Sequence, residues 1–148
     1  MSGWGGALAS GPESHFVVDA LGHLLDGRPD AAAGELDEGA AATSWAAVLH
    51  RLDVAGRALA LDADLHPRDI PGIGPRVAAL AATTGVDPVP PGIDEVLAAW
   101  SRGEGIPANV DLEAGSVDAT DEDRRALGAC LVLAWLVDHL GYPPQVVA

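Results

Sequence analysis

The sequence contains no lysine, one cysteine, one tyrosine and one phenylalanine, and its aromatic fraction is only 4%. All eight basic residues are arginines, against 22 acidic residues, which gives a formal net charge of −14. Proteins that bind nucleic-acid phosphates or anionic membranes rely on clustered Lys and Arg side chains. We therefore expect neither nucleic acid nor a membrane surface as the partner of this 148-residue chain.

The single cysteine, Cys130, excludes an intramolecular disulfide and a zinc site built from several cysteines. It lies in the most apolar stretch of the chain, residues 126–137, and is predicted to be a small buried side chain. This stretch is shorter than the roughly 20 apolar residues that a membrane-spanning helix needs. The N-terminus lacks the basic and apolar regions of a signal peptide, so a cytoplasmic protein is expected.

Apolar residues recur at helical spacing along most of the chain, and no convincing pair of strands is found. The pattern predicts an all-α, single-domain bundle of about five helices around a buried C-terminal helix, with Gly- and Pro-rich connectors. Residues 1–12 are expected to form a flexible arm and residues 13–148 the helical domain. The helices are predicted at 13–26, 43–62, 75–84, 92–101 and 121–140, and a short additional helix is allowed at 30–36.

Local signals set the expected ends of these helices. Asp37, Glu38 and Gly39 predict a polar break after the short helix. The prolines and glycines of residues 70–75 predict an irregular segment before the third main helix. Trp135, in the apolar stretch of the last helix, is expected to be part of the buried core.

Four residues on the first helix form a candidate metal site: His15, Asp19, His23 and Asp26. Their spacing of four, four and three residues places two imidazoles and two carboxylates along one flank, as a divalent cation or a pH switch would require. The two histidines are two turns apart, about 12 Å along the axis. The alternative is a solvated polar face opposite the apolar stripe.

Residues 70–80, Ile-Pro-Gly-Ile-Gly-Pro-Arg-Val-Ala-Ala-Leu, resemble the hairpin and second helix of the helix-hairpin-helix DNA-binding motif. The resemblance implies phosphate contacts by Gly72, Gly74 and Arg76. It covers about eleven residues, and the chain departs from the family before the hairpin, where no regular apolar helix precedes it. The alternative is a Gly/Pro turn that caps the following helix, and the net charge favours this alternative.

The sequence contains no nucleotide-binding glycine loop, nucleophile elbow or zinc-protease motif. Trp4, an indole in a Gly-rich arm, is a candidate protein contact. Our primary hypothesis is therefore a non-enzymatic, acidic protein-binding module: an accessory subunit, an adaptor or an inhibitor of the immunity-protein kind. We expect no cofactor, and another protein, of basic character, as the partner.

Two alternatives stay open. The first is a small helical metal- or ligand-binding domain, or an enzyme, that uses pairs of His and Asp side chains such as His50 and Asp53. The second is an oligomerising structural domain, in which case the partner is a further copy of the chain.

Overall fold

The computed structural model describes residues 12–86, 90, 92–106 and 119–147, except for the side chains of residues 12–15 and 119–124. These residues form six α-helices and no β-strand, which confirms the predicted all-α class. The helices are α1 (Pro12–Leu25), α2 (Pro29–Ala42), α3 (Trp45–Asp62), α4 (Ile70–Thr83), α5 (Ile93–Ser101) and α6 (Ala119–Leu140). Short 3₁₀ turns occupy Pro67–Asp69 and Pro144–Val147. No helix in the described part of the chain is long and apolar enough to cross a membrane.

Four of the helices, α1, α3, α5 and α6, begin and end within two residues of their predicted positions. The side chain of Ser44 accepts a hydrogen bond from the amide of Ala47 and so caps the start of α3. The apolar stripe predicted for α3 is buried: Val48, Leu49, Leu52, Ala55 and Leu59. The predicted arm at residues 1–12 lies outside the described residues, except for position 12.

Helix α2 is continuous, so the break predicted at residues 37–39 is wrong. Gly39 is buried against the ring of Phe16 on α1, and a Cβ at this position would overlap the aromatic carbons. The missing side chain lets α1 and α2 approach closely. Burial of the Phe16 ring offsets the low helix propensity of glycine, which explains why a local break signal did not end the helix.

Helix α4 begins five residues earlier than predicted, at Ile70, so the prediction of an irregular segment before Pro75 is wrong. Pro71 lies in the first turn, where a backbone N–H has no acceptor within the helix. Pro75 lies inside the helix and removes one backbone hydrogen bond. Ile73 and Val77 are buried, and their packing stabilises a turn that the local sequence disfavours.

Helix α6 carries the longest run of buried residues in the described chain. The buried positions are Ala126, Gly128, Ala129, Cys130, Leu131, Val132, Leu133, Ala134, Leu136 and Val137. Burial raises the pKa of the Cys130 thiol to about 12, so this cysteine stays protonated and unreactive at neutral pH. Trp135 is only partly buried and stacks on His139, with ring centroids 4.8 Å apart, which corrects the expectation of a fully buried Trp135.

Trp100 on α5 is instead the largest fully buried side chain, with 1% of its surface exposed. Its six-membered ring lies against Gly56 on α3, where a Cβ would overlap the ring carbons. A glycine in the middle of α3 weakens the helix by about 1 kcal/mol relative to alanine. Here the glycine provides the space into which the indole packs.

We predict that Gly56→Ala lowers the free energy of unfolding by about 1–3 kcal/mol, because the new methyl group must displace the buried Trp100 ring. The matched control is Gly34→Ala on α2, where an added Cβ meets no atom within 4 Å. That substitution should raise the free energy of unfolding by about 0.5–1 kcal/mol through helix propensity alone. Urea denaturation measures both changes, and stabilisation by both substitutions would contradict the packing described.

Candidate functional site

Two adjoining depressions lie on the surface that α4 and α5 form together, which we call the α4–α5 face. Their volumes are about 630 Å³ and about 520 Å³. Pro75, Asp94 and Glu95 line both depressions and so form the wall between them. The rest of the first lining is Pro67, Ile70, Pro71 and Ala98, and the rest of the second is Gly74, Ala78, Pro90, Gly92 and Ile93.

Three prolines give the first depression its apolar wall. Pro67, Pro71 and Pro75 follow one another at four-residue intervals through the 3₁₀ turn and the start of α4, and all three are exposed. Residues four apart lie on the same side of a helix, so the rings form one stripe. A proline ring loses little conformational freedom when a partner covers it, which makes the stripe a rigid apolar contact surface.

Two carboxylates lie at the centre of the α4–α5 face, in the first turn of α5. Gly92, at φ +87°, adopts a left-handed conformation that favours glycine and starts the helix there. The N-terminal end of a helix carries partial positive charge, which favours Asp94 and Glu95 at these positions. A carboxylate oxygen of Asp94 lies directly over the bare backbone of Gly74 on α4.

The residues of the candidate metal site are only partly brought together. Asp19, His23 and Asp26 line one surface depression of about 200 Å³, beside Gln145 of the C-terminal 3₁₀ turn. His23 Nε2 lies 3.7 Å from Glu35 Oε1, and Asp26 accepts a 3.1 Å hydrogen bond from Arg28.

The described side chains contain no group of three or more His, Cys, Asp or Glu residues with the geometry to hold a metal ion. The side chain of His15 lies outside the described residues, so metal binding by His15, Asp19, His23 and Asp26 stays a prediction.

The glycines of the helix-hairpin-helix resemblance lie in the first two turns of α4, in helical backbone. Gly72 and Arg76 are exposed, but Gly74 is buried beneath the carboxylate of Asp94. A phosphate that approached Gly74 would meet this negative charge. Phosphate binding by Gly72, Gly74 and Arg76 stays a prediction that the surrounding charges do not favour.

The sequence interpretation missed the role of Asp53 on α3, which it named only as a possible partner of His50. Asp53 Oδ1 accepts hydrogen bonds from Trp100 Nε1 at 3.1 Å and from the Ile106 amide at 2.6 Å. Burial raises the pKa of Asp53 above its ordinary value of 3.8, although both hydrogen bonds act to lower it. The carboxylate therefore joins α3 to α5 and to the segment after α5. The residues adjacent to Asp53 in the sequence give no signal for these distant donors.

Arg51 on α3 also has a partner that is distant in sequence. The guanidinium is buried, and its Nη2 donates a 3.0 Å hydrogen bond to the carbonyl of Val147. The contact ties the middle of α3 to the C-terminal 3₁₀ turn across 96 residues of sequence. A buried charge of this kind is tolerated when its hydrogen bonds are made within the protein.

The enzyme alternative, with pairs of His and Asp side chains such as His50 and Asp53, stays a prediction. His50 lies close enough to Asp53 to lower the pKa of its carboxyl, against the larger effect of burial. His66 lies 3.2 Å from Asp64 in an exposed pair, and His139 stacks on Trp135 at the end of α6. Asp53 has fixed partners in Trp100 and Ile106, as described above. Trp4, the candidate protein contact, lies outside the described residues and remains a prediction.

Comparison with known proteins finds no family model, no curated protein and no solved structure that matches the chain. Among the described residues, the two depressions are lined by apolar side chains, glycines and two carboxylates, with no His, Cys or hydroxyl group. Such a surface suits the binding of apolar groups and of a cation.

Asp53→Asn provides a test of the buried carboxylate, because the amide oxygen can still accept both hydrogen bonds while the titrating group is removed. A raised pKa in the folded state means that the wild-type carboxyl stabilises the fold most below pH 3.8. This contribution is lost as the pH rises through the folded-state pKa. We therefore compare the free energy of unfolding of wild type with that of Asp53→Asn. The wild-type value minus the variant value should fall as the pH rises from 3.8 through the folded-state pKa, and should then stay constant.

Urea denaturation across the acidic to neutral range measures this difference. Asp53→Ala serves as the second variant: it removes the acceptor and should cost about 1–3 kcal/mol at every pH, because two donors lose their partner. Asp37→Asn, at an exposed position on α2, is the matched control and should show no comparable pH-dependent difference. A wild-type advantage over Asp53→Asn that grows with pH would contradict the assignment.

Proposed function

We propose that the protein is a non-enzymatic protein-binding module that engages its partner through the α4–α5 face. The observation that carries the proposal is the pair of adjoining depressions, which place exposed proline rings next to two carboxylates. Protein–protein contacts combine an apolar centre with polar groups that select the partner. An accessory subunit, an adaptor or an inhibitor would each use a surface of this kind.

The charge of the chain supports a partner with a basic surface. A net charge of −14 on 148 residues produces a negative field that accelerates encounter with positively charged proteins. The same field opposes nucleic acid as a partner. Arg76 follows Pro75 in α4 but lines neither depression, so the described lining of the face is negative.

The proposal is tested by glutamate substitutions in the depressions. Ala98→Glu and Ala78→Glu each insert a bulky charged side chain, one into the first depression and one into the second. Ala58→Glu, at an exposed position on α3, is the matched control. Immobilised protein of each kind is used to capture partners from its native host in low salt, and the retained proteins are quantified by mass spectrometry.

We expect one protein to be retained by wild type and Ala58→Glu and to be reduced at least about tenfold by the two α4–α5 variants, since each loses apolar contact area and gains a desolvated charge. Circular dichroism confirms that the variants are folded. Retention of the same proteins by all four baits, or enrichment of none over bare resin, would overturn the proposal.

We further propose that α6 is the central helix of the bundle and the support on which the α4–α5 face rests. This arrangement is supported by the burial of α6 described above and by its contacts with each of the other five helices in the described chain. A helix in contact with all its neighbours holds their relative positions, because a displacement of one neighbour must disturb its packing.

Leu133→Ala should lower the free energy of unfolding by about 2–5 kcal/mol, because Leu133 is fully buried on α6 and its truncation leaves a cavity. The matched control is Leu61→Ala on α3, where the leucine is 75% exposed and the change should stay within about 0.5 kcal/mol. Both are measured by urea denaturation. A similar cost for the two substitutions would contradict a central α6.

A further inference from the structure

Resting on the proposed protein-binding function, we propose that the α4–α5 face recognises a partner segment in which two apolar side chains flank one Arg or Lys. The two depressions would each take one apolar side chain. The cationic side chain would lie on the carboxylates between them. The proposal concerns the chemistry of the partner, which the protein-binding function alone leaves open.

The order of groups on the face carries this inference. Asp94 and Glu95 belong to both depressions, together with Pro75, so a chain that fills both passes over a boundary formed by these three side chains. Apolar groups lie on either side: the proline stripe and Ala98 on one, and Ala78 and Ile93 on the other. The surface is therefore complementary to a partner segment with an apolar side chain, then a cationic side chain, then a second apolar side chain.

The carboxylates of Asp94 and Glu95 are available to form ion pairs with a partner. Among the described residues, no Arg or His lies within ion-pair distance of Asp94 or Glu95. Two other exposed acids, Asp26 and Glu104, are instead matched locally, by Arg28 and Arg102. Asp94 is also confined on one side by the backbone of Gly74, which limits where its carboxylate can go.

Charge also favours a basic segment of another protein over two other possible occupants of the face, a second copy of the chain and its own N-terminal segment. A second copy of the chain carries the same net charge of −14 and is repelled. The N-terminal residues 1–11 contain no Arg or Lys, so no side chain of that segment can supply the central cation. A basic segment of another protein satisfies both the apolar and the charged parts of the face.

The experiment uses fluorescein-labelled synthetic peptides and the full-length protein, with binding measured by fluorescence anisotropy at low salt. Two peptides carry the proposed pattern with different spacings, Leu-Gly-Arg-Gly-Leu and Leu-Gly-Gly-Arg-Gly-Gly-Leu. In the control peptides Glu replaces Arg, or Ser replaces one Leu. We expect at least one patterned peptide to bind, and each control to bind about tenfold more weakly or worse.

Protein variants locate the binding. The double variant Asp94→Asn with Glu95→Gln should weaken the patterned peptide about five- to tenfold and reduce its salt dependence, because two exposed ion pairs are lost. The matched control, Asp37→Asn with Glu38→Gln, neutralises two exposed neighbouring acids on α2 and should leave the affinity within about twofold. Ala98→Glu should weaken the patterned peptide at least as much.

Three outcomes overturn the inference: no patterned peptide binds, the Glu control binds as tightly as the Arg peptide, or the two neutralised double variants behave alike. Light scattering that shows a dimer lost in Ala98→Glu would assign the face to a second copy and overturn it as well. If the partner capture described above still depends on Ala98 and Ala78 while the peptides fail, the protein-binding function stands and only the recognised pattern is wrong.

Discussion

The contact between Trp100 and α3 decides where the α4–α5 face lies. Helix α5 has only nine residues, and a helix this short has little stability of its own in water. Its indole enters the space above Gly56, and its N–H is bonded to the Asp53 carboxylate. Because Trp100 and Asp94 belong to the same two and a half turns, the buried anchor on α3 sets the position of the exposed carboxylate.

A second constraint comes from the prolines at the start of α4. Each proline inside a helix removes a backbone N–H, which local reasoning counts against helix formation. The buried faces of Ile73 and Val77 stabilise the helix despite this cost. As a result, Pro71 and Pro75 lie on the solvent side of a regular helix, where their rings form a rigid apolar stripe. The prolines that weaken the helix locally are therefore the residues that shape the α4–α5 face.

Two of the acidic residues, Asp94 and Glu95, lie in surroundings that differ from those of most other acidic residues. Most acidic residues are spread over helix ends and loops, where they contribute to a general negative field. Asp94 and Glu95 differ because apolar depressions lie on both sides of them. In the proposed function, the general field steers a basic partner toward the protein, and the carboxylates between the two apolar depressions select it at short range.

The sequence by itself determined the all-α class, four of the six described helices to within two residues, and the sign of the surface charge. Those properties follow from the helical spacing of apolar residues, from capping signals such as Ser44, and from the numbers of acidic and basic residues.

Only the tertiary structure decided three other features: the continuity of α2 through Gly39, the early start of α4 and the partners of Asp53. Each feature depends on packing against atoms that are distant in the sequence. These are the ring of Phe16 for Gly39, the residues that bury Ile73 for α4, and the indole of Trp100 for Asp53. A glycine inside a helix costs about 1 kcal/mol and a proline about 3 kcal/mol. Burial stabilises by about 1.5–3 kcal/mol for each large apolar side chain, so Phe16 offsets the first cost, and Ile73 together with Val77 offsets the second. The α4–α5 face could not be predicted for the same reason, since its two carboxylates and its proline stripe meet only when both helices are packed against the core.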